Sequence, residues 1–252
     1  MASNAGEQMA DAELAGRIAA AAGRLLMQLR DDGLVAGAAA GTAGDLLANG
    51  LILAALKQRR PDDAILSEES PDWPDRLAKK RVWIVDPLDG TREFAEGRRD
   101  WGVHVALAVA GEVVGGAVAM PAWGRVFRSD QVSLPSASGR PRPVLAVSRT
   151  RPPPQAPDLA AALGAETVEI GSAAAKAMAV VTGEADIYFH SGGQHEWDNC
   201  APVAVAKGAG LHASRGDGSP LVYNNERPFV PDLLICRPEL AGPALEALRR
   251  IG

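Results

Sequence analysis

Two carboxylates three residues apart close an apolar run, in the order Val82-Trp83-Ile84-Val85-Asp86-Pro87-Leu88-Asp89-Gly90-Thr91. A charge at the exit of a buried strand is costly unless it is paired or binds a metal. Asp86 and Asp89 are hard oxygen donors of the kind Mg²⁺ takes. Gly90 and Thr91 lead into a short helix-like segment, where free backbone N–H groups suit a phosphate. The plainer alternative is an ordinary Asp-Pro-Leu-Asp-Gly turn, since each of these residue types favours turns.

More carboxylates stand at strand or loop exits: Asp45, Glu68, Glu69 and Asp198. Asp45 and Asp198 read equally well as helix N-caps. Glu68-Glu69, taken alone, reads as a solvated acidic pair.

The elements around these residues must place them. Residues 10–30 form an amphipathic helix pattern through Leu14, Ile18, Leu25 and Leu29, stopped by Asp31-Asp32-Gly33. The Gly/Ala-rich stretch 35–44 reads as a loop. Asp45 then opens a second helix to Arg60, with Leu47, Leu51, Ile52 and Leu56 facing inward and Pro61 ending it. Strands are expected at 64–66, 82–85, 101–109, 113–120, 144–148, 167–170, 185–190 and 233–236. Helices are expected at 172–182, 199–207 and 238–250. Between His190 and His195, Ser191-Gly192-Gly193 reads as a Gly-rich loop that could take a flat ring, or as a surface turn. Residues 151–157 read as Pro-rich loop. A soft boundary near residue 140 separates 1–140 from 141–252.

At 252 residues and 47% hydrophobic, the chain can bury a substantial core. A net charge of −5 argues against a nucleic-acid polymer as partner. It leaves room for a small anion, because a local metal site reverses the field. Cys200 and Cys236 make no disulfide framework, which suits a reducing cytoplasm. No basic segment precedes an apolar core at the N-terminus. The apolar runs break well short of ~20 residues, so no membrane span is expected.

Three separated elements together resemble the Mg²⁺-dependent, lithium-sensitive phosphatase superfamily of inositol monophosphatases, fructose bisphosphatases and bisphosphate nucleotidases. Trp83 to Thr91 resembles its metal signature, and Ser67-Glu68-Glu69-Ser70 its upstream acidic element. Trp197-Asp198, followed by Cys200-Ala201-Pro202, resembles its C-terminal element. The resemblance implies an α/β fold, a layered α-β-α-β-α sandwich with metals at the junction of two subdomains. Residues 1–140 would carry most metal ligands, and 141–252 would carry Asp198 and substrate contacts. Glu68, Asp86, Asp89, Asp198 and the Leu88 carbonyl would hold two or three Mg²⁺. Asp45, Glu68 and Thr91 would act on the attacking water. In one respect the chain departs: many members carry a Lys shortly before this Asp, and residues 33–44 hold no basic residue.

Thr91-Arg92-Glu93-Phe94 and Asp100-Trp101-Gly102-Val103-His104 resemble the CysQ-type 3′-phosphoadenosine 5′-phosphate phosphatases, as does Gly171-Ser172-Ala173-Ala174-Ala175-Lys176. The substrate contacts this implies are Asp89, Gly90, Thr91, Arg92, Ser172, Lys176, His190 and Asp198. Lys176 would hold a second phosphate as a point charge; its plainer reading is a solvated helix residue. The implied reaction removes the 3′-phosphate of 3′-phosphoadenosine 5′-phosphate, or of its phosphosulfate analogue, by metal-activated water, in sulfate assimilation. No Cys or Ser nucleophile constellation competes. Inhibition by Li⁺, and by Ca²⁺ in place of Mg²⁺, goes with the resemblance. The alternatives are an inositol 1-phosphate or fructose 1,6-bisphosphate phosphatase, and a non-catalytic nucleotide-binding protein. The expected partner is a small phosphorylated nucleotide, with no nucleic-acid polymer and no membrane; a homodimer is a permitted assembly.

Overall fold

Val82 and Ile84 face one way from their strand, Trp83 and Val85 face the other, and all four are buried. A strand with both faces covered lies inside a layered molecule. The computed structural model describes residues 2–136 and 139–251, with side chains from residue 10 onward. A first sheet holds β1 (Ala64–Ser67), β2 (Arg81–Asp89), β3 (Gly102–Val109), β4 (Glu112–Met120) and β5 (Arg125–Arg128) in that spatial order. Only β1 and β2 run parallel in it. A second sheet holds β6 (Val144–Ser148), β7 (Glu166–Ile170), β8 (Ile187–His195), β9 (His212–Ser214) and β10 (Phe229–Cys236), in the order β7-β6-β8-β10-β9.

Three cores glue five layers. α1 (Ala2–Asp32) and α2 (Gly37–Arg59) press Leu26, Ile52 and Leu56 onto Trp83, Val85 and Leu107. On the other face of the first sheet, Ile84 and Val118 meet Met178 of α5 (Ala173–Thr182) and Val203 of α6 (Glu196–Gly208). These two helices also cover Tyr188, Leu233 and Ile235 of the second sheet. Its outer face packs Leu145, Ile187 and Leu234 against Leu159 of α4 (Ala156–Leu163) and Leu248 of α7 (Pro238–Ile251). This is the layered α-β-α-β-α sandwich that the motifs imply. A five-residue helix, α3 (Thr91–Ala95), follows β2 directly.

The stretch read as a Gly/Ala loop is helical, because α2 begins at Gly37 rather than Asp45. Alanine is the best helix former, and the glycines serve packing. A Cβ at Gly41 would stand 2.7 Å from Thr91 Cγ2. One at Gly44 would stand 2.9 Å from Leu26 Cδ2 and 3.2 Å from Leu88 Cδ2. The small residues let α2 lie against the end of β2 and thereby set its rotation. Asp45, Ala48, Asn49, Ile52 and Leu56 turn inward, whereas Leu46, Leu47 and Leu51 turn outward. Leu47 and Leu51 thus oppose the expectation, which counted leucines and overlooked the small residues. By length and composition α2 could cross a membrane; here its buried face carries Asp45 and Asn49.

Ser191-Gly192-Gly193 is neither loop nor surface turn. β8 continues through it to His195, paired with β10 from Ile187↔Cys236 to His195↔Phe229. The register shifts between Val230 and Asp232, opposite Gly192 and Gly193 with φ of +90° and +92°. A bulge of this kind needs the left-handed backbone that glycine supplies. Among the strands and α-helices three went unread: β5, β9 and α4. The last opens at the end of the Pro-rich stretch, with Pro in its first turn and left-handed Gly164 at its end.

Candidate active site

The parallel register of β1 on β2 pairs Ser67 with Val85, and the Glu68 N–H donates to Val85 O at 3.3 Å. Glu68 therefore leaves β1 beside Asp86 of β2. Pro87 and Leu88 follow at a break in the β2 register, where the Leu88 N–H donates to Asp86 Oδ1 at 3.0 Å. Left-handed Gly90 (φ +87°) swings the chain into α3; a Cβ there would stand 2.8 Å from Ser172 Cβ. The turn aims Asp89 across the gap between the sheets. Its two oxygens accept the N–H groups of Ala173 (3.3 Å) and Ala174 (2.6 Å), at the positive end of α5. Ser172 caps the same helix, accepting from the Ala175 N–H at 3.1 Å. From the second half, α6 brings Asp198 in its first turn, where Oδ2 accepts the His195 N–H at 2.7 Å.

Oxygens of Asp86, Asp89 and Asp198 lie within 4.8 Å of one another. Like charges gathered at this distance repel strongly unless protonated or neutralised. Burial, followed by the charges of Glu68 and Asp89, holds the Asp86 carboxyl well above its usual range. Asp198 is pushed up to about 7, by burial and then by Asp89. Glu68 opens to the cleft but is crowded on its other sides; burial, and next Asp198, push it to about 7. Asp45 stands behind the cluster, 7% exposed, and is raised to about 7 by burial and by Glu69, against a lowering bond from Thr91. The Thr91 hydroxyl lies 3.4 Å from Asp45 Oδ2 and 3.1 Å from the Leu88 carbonyl. Asp45 Oδ1 is buried with no partner among the described residues. Hard oxygens, mutual repulsion and an orphaned acceptor together fit divalent cations.

These groups edge a cavity of about 270 Å³. Glu68, Asp86, Leu88, Asp89 and Asp198 line one side, and Gly90, Thr91, Arg92, Ser172, Lys176 and His190 line the rest. The structure thus brings every expected site residue to one place, with Asp45 just behind Thr91. Neither Asp45 nor Asp198 is an N-cap: one is interior to α2, the other inside α6. Lys176 is not a solvated helix residue either. It is 4% exposed, its ammonium donating to the carbonyls of Gly171 and Ser172 (2.7 Å to the latter) with the Tyr188 ring at 5.3 Å. Burial lowers it to about 8 against the pull of Asp89. His190 is half-buried, its Nε2 3.0 Å from Gly193 O, and burial lowers its pKa. Trp83 and Trp101 are fully buried core.

The sequence reading missed Ser148, Thr150 and Arg151, which follow β6 onto the cavity wall, and Gln194 of β8. Arg151 is exposed there, and its guanidinium has no hydrogen bond among the described residues. The signal was Ser148-Arg149-Thr150-Arg151 at a strand exit, the position that marked the acids. Arg149 turns aside to Glu93 (2.9 Å) and Glu96 (3.0 Å). His104, quoted in a motif but given no role, lies beneath Asp89. It is fully buried, its Nδ1 3.0 Å from Trp197 O and its Nε2 3.7 Å from Asp89 Oδ2.

The chain matches the family model of the inositol monophosphatase family over residues 10–251. It is 49% identical to the 3′-phosphoadenosine 5′-phosphate phosphatase of Mycobacterium leprae, over 97% of this chain and 95% of that protein. It is 33% identical to the 3′(2′),5′-bisphosphate nucleotidase CysQ of Escherichia coli K12, over 75% of this chain and 81% of that one. Among solved structures, CysQ from Bacteroides thetaiotaomicron superposes with a TM-score of 0.77 at 24% identity, over 90% of this chain and 97% of its own, a likeness of fold.

Proposed function

Since the chain belongs to the inositol monophosphatase family, which is metal-dependent, we propose that it hydrolyses the 3′-phosphate of 3′-phosphoadenosine 5′-phosphate, leaving AMP. The observation that carries this is one cavity with acids on one side and Arg92, Arg151 and Lys176 on the other. Acids that gather metal ions suit the phosphate that is cleaved. Arg92 and Arg151, exposed and without a salt bridge among the described residues, suit a second phosphate that is kept, and Lys176 lines the same cavity from a buried position. The names of the 49%- and 33%-identical relatives support the same substrate.

Glu68, Asp86, the Leu88 carbonyl, Asp89 and Asp198 are the residues that would hold two or three Mg²⁺. When bound, such ions neutralise phosphoryl charge and lower the pKa of water. The protein supplies the rest. The Thr91 hydroxyl has one proton and faces both Asp45 and Leu88. Were a cation to hold the Leu88 carbonyl, Thr91 would donate to Asp45 Oδ2 and its lone pairs would be free to accept from the attacking water. In the metal-free protein burial and then Glu69 raise Asp45 to about 7, within reach of a proton near neutral pH. α5 steadies Asp89 from behind through two N–H groups. Cys200 and Cys236 are buried free thiols, which suits the cytoplasm as the working compartment.

The test is kcat/KM for 3′-phosphoadenosine 5′-phosphate, inositol 1-phosphate and fructose 1,6-bisphosphate in Mg²⁺. A preference for the nucleotide of about tenfold or more is expected, one charged contact's worth. A preference for either sugar phosphate would overturn the assignment.

A further inference from the structure

Arg76 takes no part in the chemistry, yet only 3% of it is exposed. It lies in a one-and-a-half-turn 3₁₀ helix, Pro74–Ala78, downstream of Glu68. A buried guanidinium is tolerable only when its donors are satisfied, and these are. Nε and Nη2 grip both oxygens of Asp72 at 2.6 and 2.8 Å. Nη1 donates to Asn224 Oδ1 at 2.7 Å and Nη2 to the Asn225 carbonyl at 2.9 Å. Asn224 Nδ2 returns a bond to the Arg76 carbonyl at 3.2 Å. The partners come from the strap between β9 and β10, about 150 residues away in sequence.

The strap also holds Glu196, which has no exposure at all. Its carboxylate accepts the N–H groups of Asn224 (2.6 Å) and Asn225 (2.8 Å) and the Asn225 side-chain amide (2.7 Å). Glu196 opens α6, two residues before Asp198. On the other side, Asn49 of α2 donates to the Glu69 carbonyl and Ser70 Oγ, both at 3.1 Å. The segment that follows Glu68 is therefore pinned at both ends, to α2 and to the start of α6.

We propose that Arg76, Asn224 and Glu196 form a clasp of positioning residues that fixes the spacing between Glu68, from the first sheet, and Asp198, from α6. The proposal rests on the reading of Glu68 and Asp198 as metal ligands. Two carboxylates on separate elements repel, so without a tie they relax apart and the gathering of ions must first draw them back. The clasp makes that cost part of folding instead, as outer-shell hydrogen bonds do around metal ligands.

Asn224→Gly is the discriminating variant. It deletes both side-chain bonds to Arg76 and keeps the N–H donated to Glu196. The residue's left-handed φ of +62° is one that glycine adopts freely. Glu196→Gln is the second variant, equal in shape and without the charge. Mg²⁺ binding is measured by calorimetry, alongside the metal-free thermal midpoint and kcat at saturating Mg²⁺. Mg²⁺ should bind about tenfold more weakly in each variant, while kcat at saturation stays within about twofold. Unchanged Mg²⁺ affinity with only a lower midpoint would make the clasp purely structural and overturn the proposal. If the wild-type chain itself binds no Mg²⁺, the metal reading fails, and the clasp with it.

Discussion

Two glycines of α2, nine residues apart, should respond in opposite ways to the same added methyl. Gly50 is exposed, and a Cβ there meets nothing within 4 Å. Gly50→Ala therefore gains only helix propensity, about 0.5–1 kcal/mol. For a chain of this size that raises the unfolding midpoint by about 1–4 °C. Gly41 sits on the same helix with the same propensity to gain, but its Cβ would stand 2.7 Å from Thr91 Cγ2. Carbon atoms in good contact are ~3.5–4.0 Å apart, so one group must retreat by about 1 Å. Overpacking of this kind costs about 1–3 kcal/mol, which cancels or exceeds the propensity gain. The functional cost is larger. The Thr91 hydroxyl is already 3.4 Å from Asp45 Oδ2, at the limit of a hydrogen bond, and has no slack to give. A misplacement of about 1 Å in a positioning group can cost on the order of 10²-fold in rate. Thermal unfolding by circular dichroism and kcat on 3′-phosphoadenosine 5′-phosphate with Mg²⁺ read the two effects separately. Wild-type turnover in Gly41→Ala would refute the Thr91–Asp45 role, and a destabilised Gly50→Ala would refute the packing account of α2.

In the metal-free protein Asp45, Glu68 and Asp198 sit at about 7, chiefly through burial. Their ordinary values are 3.8 to 4.5, so the folded state binds more protons than the unfolded chain between about pH 4 and 7. Metal-free stability should fall as pH rises through that window, while Mg²⁺ affinity should rise from pH 6 to 8 with release of protons. Calorimetry in buffers of different ionisation enthalpy measures this, and a pH-independent affinity would contradict it. Asp89→Asn should lower kcat by about 10³-fold or more. It should also cost about 1–3 kcal/mol in stability, because an amide cannot accept both the Ala173 and Ala174 N–H groups. An unshifted unfolding midpoint would speak against that second role. Arg151→Ala should raise KM for the nucleotide bisphosphate about tenfold and leave a simple phosphate monoester unaffected; equal effects on both substrates would remove Arg151 from recognition of the second phosphate.

The acids of the site were legible because they are local anomalies. A carboxylate closing Val82-Trp83-Ile84-Val85 stands out in any fold that buries the strand, and Asp86 and Asp89 announce themselves in this way, whereas Glu68 and Asp198 became legible only through the motifs around them. Most strands followed from period and breakers, and the layered order from the family resemblance. What stayed hidden depends on partners distant in sequence. Gly41 and Gly44 look like loop residues until Thr91, Leu26 and Leu88 are seen filling the space beside them. Gly192 and Gly193 look like a turn until β10 is placed alongside with its shifted register. Lys176, implied as a substrate contact, is seen to be buried only once Gly171 and Ser172 turn their carbonyls onto it.

By itself the sequence determined which atoms could do the chemistry, because ligand type is a property of single residues. Only the tertiary structure decided where those atoms stand. Their spacing is set by contacts between segments up to 150 residues apart, as in the Arg76 clasp. Repulsion among four carboxylates has to be balanced by the whole fold, and no local pattern in the chain can encode that balance.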